Sequence, residues 1–158
     1  MNRNATAQLT REEMTQKAKR YCAYQERCTS DLKRKLLSWG ADPLLTDEII
    51  ALLKNENFLS DKRYAALFAI SKINQNRWGR LKIEKALQQK DIPHEIIRNA
   101  MNETDPGQYE KNIMILIRQK MNEMKETDPL KIRQKILQFM LSKGYEAELI
   151  HKMLNPQE

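Results

Sequence analysis

Apolar positions along this chain fall at helical spacing, with few β-branched runs and no Asn-Gly or Asp-Gly hairpin signal between alternating segments. The polar punctuation is helical too. Asp-Pro occurs at Asp42-Pro43, Asp105-Pro106 and Asp128-Pro129, each placing an acidic N-cap before a proline at the first helical position, where its missing N–H costs nothing. Ser30 with Asp31, Ser60 with Asp61, and Pro93 ahead of His94-Glu95 mark three further starts. Gly40 and Gly144 stand where helices should stop, as left-handed C-terminal caps. The pattern predicts nine helices, near residues 11–28, 30–39, 43–55, 61–75, 79–90, 93–102, 106–125, 129–142 and 146–154.

Aligning the chain on Gly40, Asp91 and Gly144 brings its apolar positions into one register. Four residues before the anchors stand Leu36, Leu87 and Met140, and eight before stand Leu32, Ile83 and Ile136. Five after stand Leu45, Ile96 and Leu149; nine after, Ile49, Ala100 and Met153; ten after, Ile50, Met101 and Leu154. The anchors are 51 and 53 residues apart, so the fold expected is all-α, three tandem three-helix repeats stacked into an elongated, curved array. A flexible N-terminal segment (1–14) precedes repeats at 15–57, 58–104 and 105–158. Such an array offers a long contact surface rather than an enclosed pocket.

Charge sharpens this picture. The chain carries a net +7, and between Lys62 and Lys90 eight cations face the single carboxylate of Glu84, so the remainder nets to zero. A localised basic segment suits nucleic acid or an acidic protein surface. Cys22 and Cys28, the only cysteines, suggest neither a disulfide framework nor a zinc site. No stretch has the length of a membrane span and the N-terminus lacks a signal-peptide core, so a soluble cytoplasmic protein with no membrane contact is expected.

Catalytic chemistry is not indicated. The four glycines are isolated and form no phosphate-binding loop, His94 and His151 lack an i, i+4 ligand partner, and no triad surrounds Cys22, Cys28 or Ser142. No enzyme activity, metal or cofactor is expected. Met101, Met114, Met121, Met124, Met140 and Met153 crowd the last third and are read as core filling rather than a pliable binding surface. A groove-reading helix-turn-helix is disfavoured, because the third helices of the first and last repeats carry acid that duplex phosphates would repel.

The segment "NRWGRLKIEKAL" (76–87) carries the candidate contact surface. Lys82, Lys85 and Gln89 share one face of a helix, opposite inward-directed Ile83, Ala86 and Leu87. Gly79 would let the chain turn tightly into this helix, whose N-terminal N–H groups would attract an anion beside Arg77 and Arg80. Trp78 is read as packing under the turn rather than stacking on a base.

These residues also carry a resemblance. "RCTSDLKRKLLSWG" (27–40), "FLSDKRYAALFA" (58–69) and "NRWGRLKIEKALQQKDI" (76–92) resemble the RecX regulatory proteins of bacteria, and the similarity runs from about Thr15 to Leu154. The resemblance implies tandem three-helix repeats and binding to the RecA recombinase filament, restraining its ATPase and strand exchange. It implies a role in DNA repair and the SOS response, without a catalytic centre. On matching positions, Asp61, Arg63 and Tyr64 would fix the fourth helix, while Lys72, Arg77, Trp78, Arg80, Lys82 and Lys85 would contact the filament or single- or double-stranded DNA. The chain departs from the family at Asp91, where glycine is usual. A monomer is expected. The competing readings are a sequence-nonspecific DNA-binding protein acting without recombinase contact, and a helical adaptor for another acidic protein.

Overall fold

The computed structural model describes residues 8–155, and among these it forms nine helices and no strand. They are α1 (Arg11–Tyr24), α2 (Thr29–Ser38), α3 (Pro43–Asn55), α4 (Asp61–Asn76), α5 (Arg80–Gln89), α6 (His94–Asn102), α7 (Pro106–Glu123), α8 (Pro129–Ser142) and α9 (Ala147–Leu154). No helix among them is long and apolar enough to cross a membrane. Residues 1–7 of the expected flexible segment lie outside the described residues. Its last residues, Arg11–Met14, form the first turn of α1 instead, because Thr10 and Glu13 close a capping box and Met14 is buried.

The three Asp-Pro starts act as expected. Asp42 accepts from the Leu45 N–H at 2.7 Å, Asp105 from Gly107 at 2.9 Å and Asp128 from Leu130 at 3.0 Å. Two boundaries differ. Helix α1 stops at Tyr24 rather than near residue 28, since Gln25 is extended and Arg27 returns over Tyr21, its guanidinium 4.0 Å from the ring. Helix α2 starts before Ser30, at Thr29, and its first amide is capped from another helix: the Asp61 carboxylate accepts from the Thr29 N–H at 2.7 Å and from its hydroxyl at 2.9 Å.

The described chain divides into two compact units. One comprises the residues through Tyr64 together with Lys90–Ile92; the other comprises Ala65–Gln89 and the residues from Pro93 onward. In the first, α1 packs on α2 and α3, and α2 on α3, around Met14, Cys22, Leu32, Leu36, Ile49 and Leu53. Each fully buried leucine or isoleucine there contributes about 1.5–3 kcal/mol. Arg63 braces this unit: its Nε donates to both carboxylate oxygens of Glu26 at 2.8 and 2.6 Å, and its Nη2 to the Asn57 carbonyl at 3.0 Å. Half-buried Tyr64 follows, its hydroxyl pushed up to about 12 by burial. In the second unit α5 packs on α6, α7 on α8 and α8 on α9. Its buried side chains include Ile83, Leu87, Ile97, Tyr109, Ile136 and Tyr145.

The repeat anchors share a backbone conformation. Gly40, Asp91 and Gly144 have φ of 96°, 57° and 90°, so Asp91 occupies the left-handed region its glycine counterparts favour. The inward positions four and eight residues before each anchor are all buried, as expected. After the anchors the positions nine and ten residues on are buried in the first two repeats, at Ile49, Ile50, Ala100 and Met101, but the position five residues on is displaced. Leu45, Ile96 and Leu149 are only half-buried, and the fully buried position is one residue later, at Thr46, Ile97 and Ile150.

Candidate partner and nucleic-acid interface

The connection from α4 to α5 begins with Arg77 in the left-handed region, at φ 51°. The Trp78 N–H then donates back to the Lys72 carbonyl at 3.1 Å, which closes the end of α4 and sets the indole beside it. The ring is half-buried and meets Phe68 edge-on, with centroids 6.3 Å apart and planes at 73°. Two ammonium groups flank it: Lys72 Nζ is 4.7 Å from the ring centroid and Lys82 Nζ 4.4 Å. An indole is the strongest aromatic partner for a cation, so Trp78 holds an ammonium group of each neighbouring helix against its ring. Its position agrees with packing rather than with an open stacking platform.

One turn beyond Lys82, Lys85 is exposed. Trp78, Leu81, Lys82 and Lys85 line one side of a shallow groove of about 490 Å³ whose other side includes Leu141 and Gly144. Leu81 and Leu141 are 50% and 43% exposed, so the groove joins an apolar strip to a basic edge. Of the six expected contact residues, Lys72, Trp78, Lys82 and Lys85 come together here.

The guanidinium of Arg80 and the backbone of Arg77 are engaged elsewhere. The Arg77 carbonyl accepts from the Tyr145 hydroxyl at 2.8 Å, which ties the turn to the residue after the third anchor. The Arg80 guanidinium lies 3.9 Å from the Tyr109 ring centroid, and its Nη1 meets Glu146 Oε2 at 3.3 Å. Glu146 Oε1 in turn accepts from the Tyr109 hydroxyl at 2.5 Å. Burial, reinforced by that hydrogen bond, raises the Tyr109 hydroxyl far above the ordinary tyrosine range. Tyr109, Tyr145 and Glu146 were not singled out in the sequence, where nothing but the repeat register links them to partners 29 to 68 positions away.

The expected anion site at the start of α5 is not open. The Gly79 N–H donates to the Lys143 carbonyl at 2.8 Å, that of Arg80 to the Tyr109 hydroxyl at 3.0 Å and that of Leu81 to the Gly144 carbonyl at 3.0 Å. These donors are consumed inside the unit. Gly79 is required here for close approach rather than for turning: a Cβ on it would stand 2.1–2.3 Å from the backbone of Gly144 and Tyr145.

Other reactive side chains stand apart from this groove. Cys22 and Cys28 are buried free thiols, and burial pushes Cys22 up to about 11, far from the thiolate a nucleophile needs. His94 and His151 are exposed, and among the described residues no cluster of three or more His, Cys, Asp or Glu could hold a metal ion.

Comparison with known proteins converges on one family. The model of the second three-helix domain of RecX matches residues 60–101, and that of the third matches residues 108–154. The protein named Regulatory protein RecX from Clostridioides difficile (strain 630) is 30% identical over 139 residues, covering 88% of this chain and 65% of the relative. Its namesake from Clostridium botulinum (strain Alaska E43 / Type E3) is 33% identical over 121 residues, covering 75% and 56%. The chain thus spans between about half and two thirds of the length of the curated relatives it matches. A crystal structure of RecX from Lactobacillus salivarius shares the fold with a TM-score of 0.85 at 23% identity, covering 92% of this chain and 95% of that one. A second crystal structure, of a regulatory protein RecX, gives 0.80 at 22% identity, covering 93% and 74%. Helix for helix, the described residues are three consecutive three-helix repeats, and with the two domain matches spanning more than half of its length the chain belongs to the RecX family.

Proposed function

We propose that this chain is a non-enzymatic regulator that binds the RecA–DNA filament and modulates, mainly by inhibition, its ATPase, recombinase and strand-exchange activities, as a cytoplasmic monomer acting in DNA repair and the SOS response. Family membership supports the regulatory role. The observation that carries the contact surface is the pair of ammonium groups on Trp78, set at the edge of a groove with exposed leucines. A surface of this composition gives an acidic partner two kinds of contact, since carboxylates or phosphates meet Lys72, Lys82 and Lys85 while apolar atoms cover Leu81 and Leu141. Charge of this kind governs encounter rate and register, and the apolar strip slows departure. Occupying the filament would compete with a second DNA strand or block protomer motions coupled to ATP hydrolysis.

The test is DNA-dependent ATP hydrolysis by the cognate recombinase, titrated with this protein and with a Lys72→Glu, Lys82→Glu, Lys85→Glu variant. Arg80 is left intact because its pairing with Glu146 belongs to the fold. Suppression by the wild type and its loss in a variant of unchanged circular dichroism supports the reading. An unchanged rate at several-fold excess of wild type removes the filament as partner.

A further inference from the structure

The methionines of the last third divide into two populations. Met101 and Met140 are 8% and 0% exposed and fill the core as expected, whereas Met114 and Met121 on α7 are 56% and 52% exposed. Core filling does not describe the latter pair. Met114, Arg118 and Met121 follow one another at i, i+4 and i+7 on one face of α7, and with Ile117 and, from α9, Met153 and Leu154 they line a groove of about 400 Å³.

We infer that this groove is a docking site for an acidic amphipathic helix of a partner protein. Apolar anchors spaced by three and four along a helix-walled groove match the i, i+3, i+4 and i+7 anchors of a bound helix. Unbranched thioethers adapt to the side chains they meet, which suits a surface left open among the described residues. Charge selects the chemistry of the occupant. Exposed Arg118 lines the groove, and exposed Lys111 lies three residues before Met114 on the same side of α7. Against them stands Glu110, one turn before Met114. The rim is net positive, so a helix flanked by carboxylates is favoured and one flanked by lysines repelled. This site is distinct from the Trp78 groove, with which it shares no lining residue, and its fate is independent of the filament reading.

The test uses the full chain with 13C-methyl-labelled methionine and two synthetic amphipathic helices, identical in their leucine face but with glutamates on the flanks of one and lysines on the other. The acidic peptide should shift the Met114, Met121 and Met153 methyl resonances while leaving Met101 and Met140 in place. Arg118→Glu, at an exposed position, should weaken it at least about tenfold. Equal affinity for the two peptides, or shifts confined to other methionines, overturns the inference. So does movement of these resonances with protein concentration alone, which assigns the groove to a second copy of the chain.

Discussion

Thr46 is fully buried, and among the described residues its Oγ1 is a buried side-chain oxygen without a hydrogen-bond partner. It stands six residues after Gly40, where the other repeats place Ile97 after Asp91 and Ile150 after Gly144. A desolvated hydroxyl without a partner costs about 1–3 kcal/mol, so Thr46→Val, which keeps the shape and removes the oxygen, should raise stability by about 1 kcal/mol in urea unfolding. A lower midpoint would mean that the hydroxyl is satisfied by solvent. Asp31 poses the opposite case. Burial pushes its carboxyl upward, but hydrogen bonds from Lys90 and Cys28 and the Lys90 charge outweigh burial and leave it lowered, with Lys90 Nζ 2.7 Å away. A carboxylate lowered by folding stabilises fully above its unfolded value, near 3.9, and loses that contribution as pH falls through the folded value. Asp31→Asn should therefore be less stable than wild type at neutral pH, and the gap should narrow as the pH is taken below about 4. A gap of constant size down to about pH 2 would remove ionisation as its cause.

The link between α5 and the turn after α8 is made by backbone meeting backbone. Two amides of one segment donate to carbonyls of the other, at 2.8 and 3.0 Å, and neither Gly79 nor Gly144 has room for a side chain. A Cβ at Gly144 would stand 2.3 Å from that of Lys82, which makes the weld two-sided. Gly79→Ala should destabilise the second unit by about 3 kcal/mol, the upper end of overpacking costs, because the obstructing atoms are main chain and cannot rotate away. Amide exchange should accelerate in α5 and α8 while α1 to α3 keep their protection; uniform acceleration would show that the two units unfold together. The sequence marked this glycine but for the wrong reason. Proline, aspartate and apolar spacing are local signals, so helix starts and the buried positions before each anchor were legible. Contacts such as Asp61 capping Thr29, or Tyr109 and Gly144 taking the amides of α5, join residues distant in the chain and leave no local trace. The inward position six residues after the anchors was missed because Thr46, one of its three occupants, is polar.

Charge across the whole molecule is likewise distributed otherwise than a count along the chain suggests. The segment outside 62–90 nets to zero, yet in the first unit Glu48, Glu56, Glu26 and Asp31 are each held in an ion pair, to Arg11, Lys19, Arg63 and Lys90. Meanwhile Lys17 lies 4.5 Å from the Trp39 ring, and Arg27 and Lys35 lie 4.0 and 5.8 Å from that of Tyr21. Cations held over aromatic rings thus occur in both units. Salt titration separates what each contributes. Every phosphate neutralised on duplex DNA adds about −0.9 to the slope of log affinity against log salt, so contact through Lys72, Lys82 and Lys85 alone gives a slope near −2.7 that the triple glutamate variant abolishes. A steeper slope that survives in the variant belongs to other cations, and its loss in Lys17→Glu with Lys35→Glu would place them in the first unit. Weak binding to DNA alone, with retention only on recombinase-coated strands, favours the filament as the primary target, because an electrostatic hold on phosphates needs no recombinase to be measured.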